Sequence, residues 1–523
     1  MSLIAKNPID LTYSRRNRPT LFSSAEEMKQ LCVKLFMNYF FLRRAKGKRV
    51  VNRADIPKYL RHFENIIVDL HSAWQSDPSL YVGYSRGKGN YTKEGAYWDA
   101  VKARPYLSQE MYLGVIEYLS EVGLVENHIA KSGHNRFSSR MKATPNLIER
   151  IDERKINWAS ASIDFDASAI IVKDENKKVI SPPNEPRFDL ARAETNLRRI
   201  NENLESSLIN LNISDAEFCS LQNQLRTNAD DETDIDDDEY IEPIDFSSRY
   251  LKRIFAHGSF RWGGRFYGGW WQYVPSKYRK FIEIEGCITC EMDYSTLMPR
   301  ILYAKVGVRP PKDSYVVPGW DEGIRKIAKK AFNQLINSSE DSRNERQWHR
   351  FAPNLTPDPL PKGWVNMKKH QRSELRRMEF RKLTGREYTE LLRDLKAMHE
   401  PIDQYFFTQA WKWLQRMDSD IAERVMLRLL DEQVTSLPIH DSFIVRRGAE
   451  DLLLRVMNQA FREIVGVDGQ IDRDETVYDP PPGYDGPRII RGSDLIDKTK
   501  KHIIECSSYH RRAYEWEQVW GPL

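Results

Sequence analysis

Five cysteines in 523 residues, Cys32, Cys219, Cys287, Cys290 and Cys506, are too few and too scattered for a disulfide framework. Cys287 and Cys290 make a C-x-x-C, but no second pair and no nearby histidine completes a zinc site, and on a strand the two face opposite sides. Packing is their expected use. Long apolar runs are also missing. The stretch from Leu31 to Phe41 carries Lys34 and Asn38, falls short of the roughly 18 apolar residues of a membrane span, and reads as a buried helix. The start holds Lys6, Arg15, Arg16 and Arg18 but no apolar core ahead of a small-residue cleavage site, so no secretory signal is expected. These absences leave a soluble, cytoplasmic protein with no membrane partner. A hydrophobic content of 40% supplies cores for two or three domains.

The net charge of +5 hides an asymmetry. Arg43, Arg44, Lys46, Lys48 and Arg49 form one basic cluster, whereas acid concentrates between Asp230 and Glu242. Because released counterions drive nucleic-acid binding, a basic end with an acidic insert points to a polyanionic partner. The alternative is a solvated surface.

Residues 25 to 75 read as helices. Ser108 to Glu121 has Met111, Val115, Ile116 and Leu119 at helical spacing, ended by Gly123. Strands are expected from Leu124 to Ile129 and from Arg136 to Met141, around a turn at Lys131 to Asn135. A helix feeding a basic hairpin resembles a winged helix-turn-helix, which binds DNA or serves as a protein-interaction module. Domain 1–150 is therefore read as a helical, winged-helix-like nucleic-acid-binding region. Within 151–246, the segment from Val172 to Glu185 reads as polar linker. From Phe188 to Arg226 a long amphipathic pattern, with Leu197, Ile200, Leu204, Leu208 and Leu211 on one face, predicts two antiparallel helices broken near Asn212 to Asp215. The acidic stretch that follows is too poor in apolar residues to fold alone.

Two short strings carry the chemistry. Met292-Asp293-Tyr294-Ser295 and Ile439-His440-Asp441-Ser442 each set an aspartate at the end of an apolar, strand-like run. Two carboxylates on adjacent strands can bridge a pair of Mg²⁺ ions roughly 3.5–4 Å apart, as two-metal phosphoryl transfer requires. Around them stand Arg261 to Gly268, Trp271 to Pro275, a strand pair broken at Glu285-Gly286, a helix with Arg325 and Lys329 one turn apart, and a helix opening at Gln415.

In this order the strings resemble the palm and fingers of A-family DNA polymerases and the related phage-type single-subunit RNA polymerases, over about residues 247 to 466. Asp293-Tyr294-Ser295 is similar to the DNA polymerase form of motif A, and His440-Asp441-Ser442-Phe443 to motif C, with Ser442-Phe443 nearer the RNA polymerase form. Gly264 to Tyr267 is similar to an element of the RNA polymerases; Gln272, Val274 and Pro275, and the helix from Gln415 to Met426, are similar to DNA polymerase elements. The resemblance implies an α+β fold: a right-hand polymerase core with an antiparallel palm sheet and helical fingers and thumb, behind the N-terminal domain. Palm and motif A would occupy 247–309, fingers and the helix before motif C 310–430, and motif C with the tail 431–523. It implies Asp293, Tyr294 and Asp441 as metal ligands for two Mg²⁺ ions, with Mn²⁺ as a substitute. Asp293, Asp441 and Lys329 would be catalytic, Lys329 protonating the leaving pyrophosphate. Arg325, Lys329, Tyr294, Asn333, Asn337 and Met298 would surround the nucleotide. Arg265, Gln272, Arg300, Gln415 and His440 would contact a DNA template and primer, His440 having a core role as its alternative.

The chain departs from the family where sugar choice is made. Asn337 stands at the position of the fingers tyrosine, Ser338 at that of the glycine, and Met298 at that of the sugar-sensing glutamate. Asn333, with Phe332 beside it, stands where the family packs a side chain on the incoming base. The expected substrates are dNTPs, with rNTPs as a second class. An RNA polymerase or primase of the same superfamily is the alternative enzyme, and a palm that has lost catalysis but still binds nucleic acid is the alternative outside enzymes. Lys368 to Lys382 interleaves cations with Phe380 near Trp364, suited to backbone contacts or simply a solvated face. No acidic cluster in the N-terminal part suggests a proofreading nuclease.

Overall fold

The computed structural model describes residues 13–91, 107–130, 139–163, 169–230, 243–355, 361, 367–473 and 500–522. The fold mixes α and β elements throughout. Strands β1 (Ser14–Arg16) and β2 (Leu21–Ser23) lead into helices α1 (Glu26–Ala45) and α2 (Ile56–Ser76). Apolar residues at Phe63, Ile66, Ile67 and Leu70 bury α2 on nearly every side. α1 buries Leu31, Leu35, Phe36 and Tyr39 but leaves Val33, Met37 and Phe41 exposed, so only one face of the expected buried helix is covered. After β3 (Tyr81–Tyr84) come α3 (Gln109–Glu121), β4 (Val125–His128), β5 (Ser139–Ala143), α4 (Pro145–Asp152) and β6 (Ala161–Ile163). β4 and β5 pair antiparallel, with Val125 opposite Ala143, in a four-stranded sheet ordered β1-β3-β5-β4. The expected turn at Lys131 to Asn135 lies outside the described residues.

Two stretches depart from expectation. The polar segment after Val172 is not irregular: β7 (Ile170–Lys173) and β8 (Val179–Ile180) pair antiparallel, and β7 runs parallel to β10 (Lys252–Phe255), which pairs with β11 (Gly263–Tyr267). The expected helical hairpin is instead helix, strand, helix. α5 (Leu190–Ser206) ends before Leu208, β9 (Ile209–Leu211) follows, and α6 (Asp215–Asp230) begins afresh. Leu208 and Leu211 fit a 3.6-residue period by coincidence. Ile209 and Leu211 are fully buried in a strand that β12 (Ile282–Ile284) completes, and pairing with a sheet overrode helical periodicity.

The central sheet runs β14-β15-β13-β12-β9, all antiparallel, with β16 added on β13. β13 (Cys287–Tyr294) follows β12 through a two-residue turn whose Glu285 (φ 52°) and Gly286 (φ 71°) both take the left-handed conformation such hairpins need. Cys287 is exposed and Cys290 buried, as opposite faces of one strand. A short turn of helix, α7 (Ser276–Arg279), precedes this hairpin, and α8 (Leu297–Lys305) follows it. Then come α9 (Arg325–Asn337), α10 (Lys369–Thr384), α11 (Tyr388–Met398) and α12 (Trp411–Asp431), the last starting one turn earlier than Gln415. β14 (Ser436–Ile439) and β15 (Ser442–Arg446) form a hairpin, α13 (Glu450–Val465) packs along α12, β16 (Ile471–Arg473) returns to β13, and α14 (Ser507–Trp520) closes the described chain against β9. One core runs from Tyr13 to Ile163 and takes in Tyr250; another runs from Trp158 to Trp516. Trp364, the acidic stretch from Asp231 to Glu242, and Pro480 to Gly483 lie outside the described residues.

Candidate active site

β13 and β15 are hydrogen-bonded neighbours, with Asp293 opposite Ser442, and the Tyr294 amide donates to the Asp441 carbonyl at 3.1 Å. Asp441 sits in the two-residue turn between β14 and β15, behind His440 at φ 57°. A non-glycine residue in that region costs about 1–3 kcal/mol, strain of the kind that collects where a neighbouring side chain must be aimed. The two aspartates, far apart in sequence, are thus brought to one corner of the sheet. Burial and the adjacent Asp441 push the Asp293 carboxyl up to about 8, against the pull of Lys329. Two carboxylates this close in partial burial cannot both ionise comfortably until a cation joins them.

Lys329 approaches from α9. That helix buries Ile327, Ala328, Ala331, Phe332, Leu335 and Ile336, which leaves Arg325, Lys329, Asn333 and Asn337 at four-residue steps along its open side. Arg325 Nε donates to Asp313 at 2.7 Å, and its guanidinium lies 5.5 Å from the centre of the Tyr315 ring. Phe332 is fully buried against Tyr315, His399 and Phe406, so it cannot reach a base. Tyr294 is also a core side chain: its hydroxyl donates to the Met457 carbonyl at 2.6 Å and its ring packs on Phe461. The Tyr294 side chain, engaged in the core, does not point to the expected nucleotide contact; a ligand role would fall to its backbone carbonyl. Met298 lies partly buried at the start of α8.

The residues expected on template or primer divide. Arg265 Nε donates to buried Asp418 at 2.7 Å. Burial works against that guanidinium, but Asp418, Tyr267 and Asp441 hold it above the ordinary arginine value. Burial, with a contribution from Asp441, raises the Asp418 carboxyl to about 6, and Arg265 opposes the rise. His440, edge-on to Tyr267, is lowered to about 4 by burial and by Arg265, and so stays neutral at pH 7. Arg265, Asp418 and His440 form one cluster beside the Asp293–Asp441 pair. Gln272 does not fit its expected role. Its amide donates to the carbonyls of Phe266 (3.0 Å) and Pro438 (3.1 Å) and accepts from the Gly268 amide (2.9 Å), so it braces the sheet. Arg300 on α8 donates to Gln470, next to β16. Gln415 lies half-buried one turn before Asp418, and its side chain makes no hydrogen bond among the described residues.

Three neighbours escaped the sequence reading. Asp418 had a signal, since it lies three residues after Gln415 on the same helical face. Asp472 on β16 stands directly opposite Asp293, a like-charge cross-strand pair, which is unfavourable in the absence of a cation. Nothing in its surrounding sequence marks it. Burial holds Tyr315 above the usual phenol value, and Asp441 and Asp293 add to the rise, which puts its hydroxyl within electrostatic reach of both. Among the described residues no three His, Cys, Asp or Glu side chains are grouped to hold a metal. Two carboxylates fit Mg²⁺ better than a closed protein cage does, because Mg²⁺ keeps waters and binds through one or two carboxylates plus phosphate oxygens.

No family model matches this chain, and no curated protein does. Among solved structures it is similar to the POL domain of Pol1 from M. smegmatis, in complex with DNA primer-template and dNTP. The identity is 13% and the TM-score 0.25, over 49% of this chain and 51% of that one, so the match spans about half the length of its counterpart. A likeness that low carries no argument, and the functional reading rests on the residues themselves. No helix among the described residues is long and apolar enough to cross a membrane.

Proposed function

We propose that this chain is a template-directed nucleotidyltransferase, a DNA polymerase in the first instance, with the β13–β15 corner as its active site. The observation that carries the reading is the meeting of Asp293, at the end of β13, with Asp441 in the adjoining β14–β15 turn, and Lys329 of α9 within electrostatic reach of Asp293. Asp293 and Asp441, with the Tyr294 carbonyl, would hold divalent ions, whose chemistry is to activate the attacking oxygen and stabilise the charge of the leaving one. The chain's own residues position and neutralise. Arg325 and Lys329 hold the triphosphate from one helical face, and Lys329 hands a proton to the departing pyrophosphate. Arg265, locked by Asp418, presents a fixed charge beside the Asp441 turn. The N-terminal region, with its helix and paired strands, serves as a winged-helix-like arm that binds nucleic acid through Arg43 to Arg49. Of that cluster, Arg43 already donates to Tyr39 and Lys46 to Glu121, which leaves Arg44, Lys48 and Arg49 as its more available members. Mg²⁺-dependent extension of a labelled primer on a DNA template, with dNTPs and rNTPs in parallel, tests the proposal. Extension by wild type and none by Asp293→Asn or Asp441→Asn is the expected result; no extension by wild type on any template would favour a non-catalytic binding role.

A further inference from the structure

Far from the carboxylates, a cavity with about 50 Å³ of room for the centres of water-sized molecules lies where α2, the segment from Asp245 to Ser247 and the start of α14 meet. One water needs roughly 10–15 Å³ by this measure, so the space suits a few waters or one compact polyatomic ion, and it is too small for a nucleotide. Around it the Asp245 carboxylate is held by ion pairs, and donors are left unengaged. Trp158 lines the cavity, is only 4% exposed, and its indole Nε1–H finds no acceptor. Arg512 is buried on the same wall, with its guanidinium 4.0 Å from the centre of the Phe246 ring. It reaches only neutral acceptors, the Asn210 side-chain oxygen at 2.8 Å and the Leu211 carbonyl at 3.1 Å. No carboxylate among the described residues comes within ion-pair distance of it. Arg249, behind Trp158 and 5.0 Å from its ring centre, is buried in the same condition, donating only to the carbonyls of Glu205, Ala159 and Ala161. Arg511 adds a further cation at the mouth, with Gln75 at 3.3 Å and Glu515 at 3.8 Å.

The single carboxylate on the wall is already taken. Asp245 accepts from Ser247 and is paired with Arg18 at 2.8 Å and Arg15 at 3.5 Å. Buried cations without a direct ion pair are costly: burial together with Arg511 drives Arg512 down to about 9 against the more distant pull of Asp215 and Glu515, so the protein holds its charge here against a penalty. An acceptor-rich anion would relieve that cost and satisfy the indole at once. We propose that this cavity binds a small tetrahedral oxyanion of the phosphate class, held by Trp158, Arg511 and Arg512. The ion would tie α2 of the N-terminal region and α14 to the sheet-bearing region, because its walls come from all three. This site is independent of the polymerase reading.

The test is thermal unfolding of the full chain in increasing sodium phosphate or sodium sulfate, against sodium chloride at equal ionic strength. Both oxyanions should raise the Tm saturably where chloride does not. Trp158→Phe, which keeps the ring and removes the donor, and Arg511→Gln, at a side chain already 57% exposed and so safe for folding, should each move the midpoint concentration up about tenfold, the worth of one charge-assisted contact. Arg346→Gln, exposed elsewhere, should leave it in place. The absence of a saturable rise in the wild type, or a wild-type midpoint in either cavity variant, would overturn the site.

Discussion

Asp293 is placed where its own ionisation is unfavourable, beside Asp441 of the β14–β15 turn and opposite Asp472 of the flanking strand β16. Its consequence can be measured without any catalytic assay. With a folded pKa near 8 and an ordinary value of 3.8, the folded state holds a proton that the unfolded chain releases across that window, so this group withdraws stability as pH rises from about 4 to 8. Asp293→Asn should therefore raise the stability of metal-free protein at pH 8 by at least about 1 kcal/mol, one pK unit's worth, while abolishing nucleotide addition, and the gain should vanish near pH 4. Chemical denaturation at the two pH values checks it; a variant less stable than wild type at pH 8 would remove the like-charge reading. Gln272 makes the opposite case. Because its amide is committed to backbone groups of Phe266, Gly268 and Pro438, Gln272→Ala should cost about 1–3 kcal/mol of stability through the buried groups left unsatisfied and leave the affinity for primer-template nearly unchanged. A large loss of template affinity with normal stability would restore the contact read from the motif.

Helix α9 shows what a sequence can and cannot disclose. The one-turn spacing of Arg325 and Lys329 and the apolar row behind them were readable as a helical face, and the β12–β13 turn was readable from Glu285-Gly286, because both depend on local periodicity and backbone preference. The aspartates could be placed at strand ends for the same reason. What needed the structure was pairing between distant strands: β9 joining the sheet in place of a helical hairpin, Asp472 arriving opposite Asp293, and Tyr315 folding under Arg325. None of these leaves a local pattern. On the proposed reading, the same helix bears on sugar choice. Asn337 is exposed, Met298 is flexible and carries no carboxylate, and neither Phe332 nor Tyr294 can stand in, since both are locked in the core. A pocket lacking a shaped wall cannot reject one extra hydroxyl by much more than ~100-fold. Single-turnover incorporation opposite a template T should favour dATP over ATP by no more than that. A preference beyond a thousandfold would turn attention to Tyr315, an aromatic within electrostatic reach of both aspartates that the motifs did not supply.

A buried ionic network spans the two cores and bears on how the N-terminal region is held. Arg15 and Arg18, from the start of the chain, both bind Asp69 of α2, at 2.7 Å and 3.2 Å, and both reach across to Asp245, which belongs to the other region. Burial would raise the Asp69 carboxyl, but Arg15 and Arg18 outweigh it and hold the group below its ordinary 3.8. A depressed carboxylate contributes stability that is fully present above its unfolded value and is lost as pH falls through the folded one. Removing one member of such a network leaves buried charge uncompensated, at a cost of about 3–5 kcal/mol. Asp69→Asn should therefore destabilise the protein by that order at pH 7. Because the residue serves the N-terminal core and its junction, the loss should appear as an early transition that precedes unfolding of the sheet carrying Asp293. The gap between variant and wild type should narrow as pH falls below about 3.8, where the unfolded chain takes up its proton, and close only once the pH has passed below the depressed folded value. Urea titrations followed at pH 7 and pH 3 decide the matter: a single unshifted transition at pH 7, or a gap that does not change with pH, would mean that apolar contact and not this network joins the two cores.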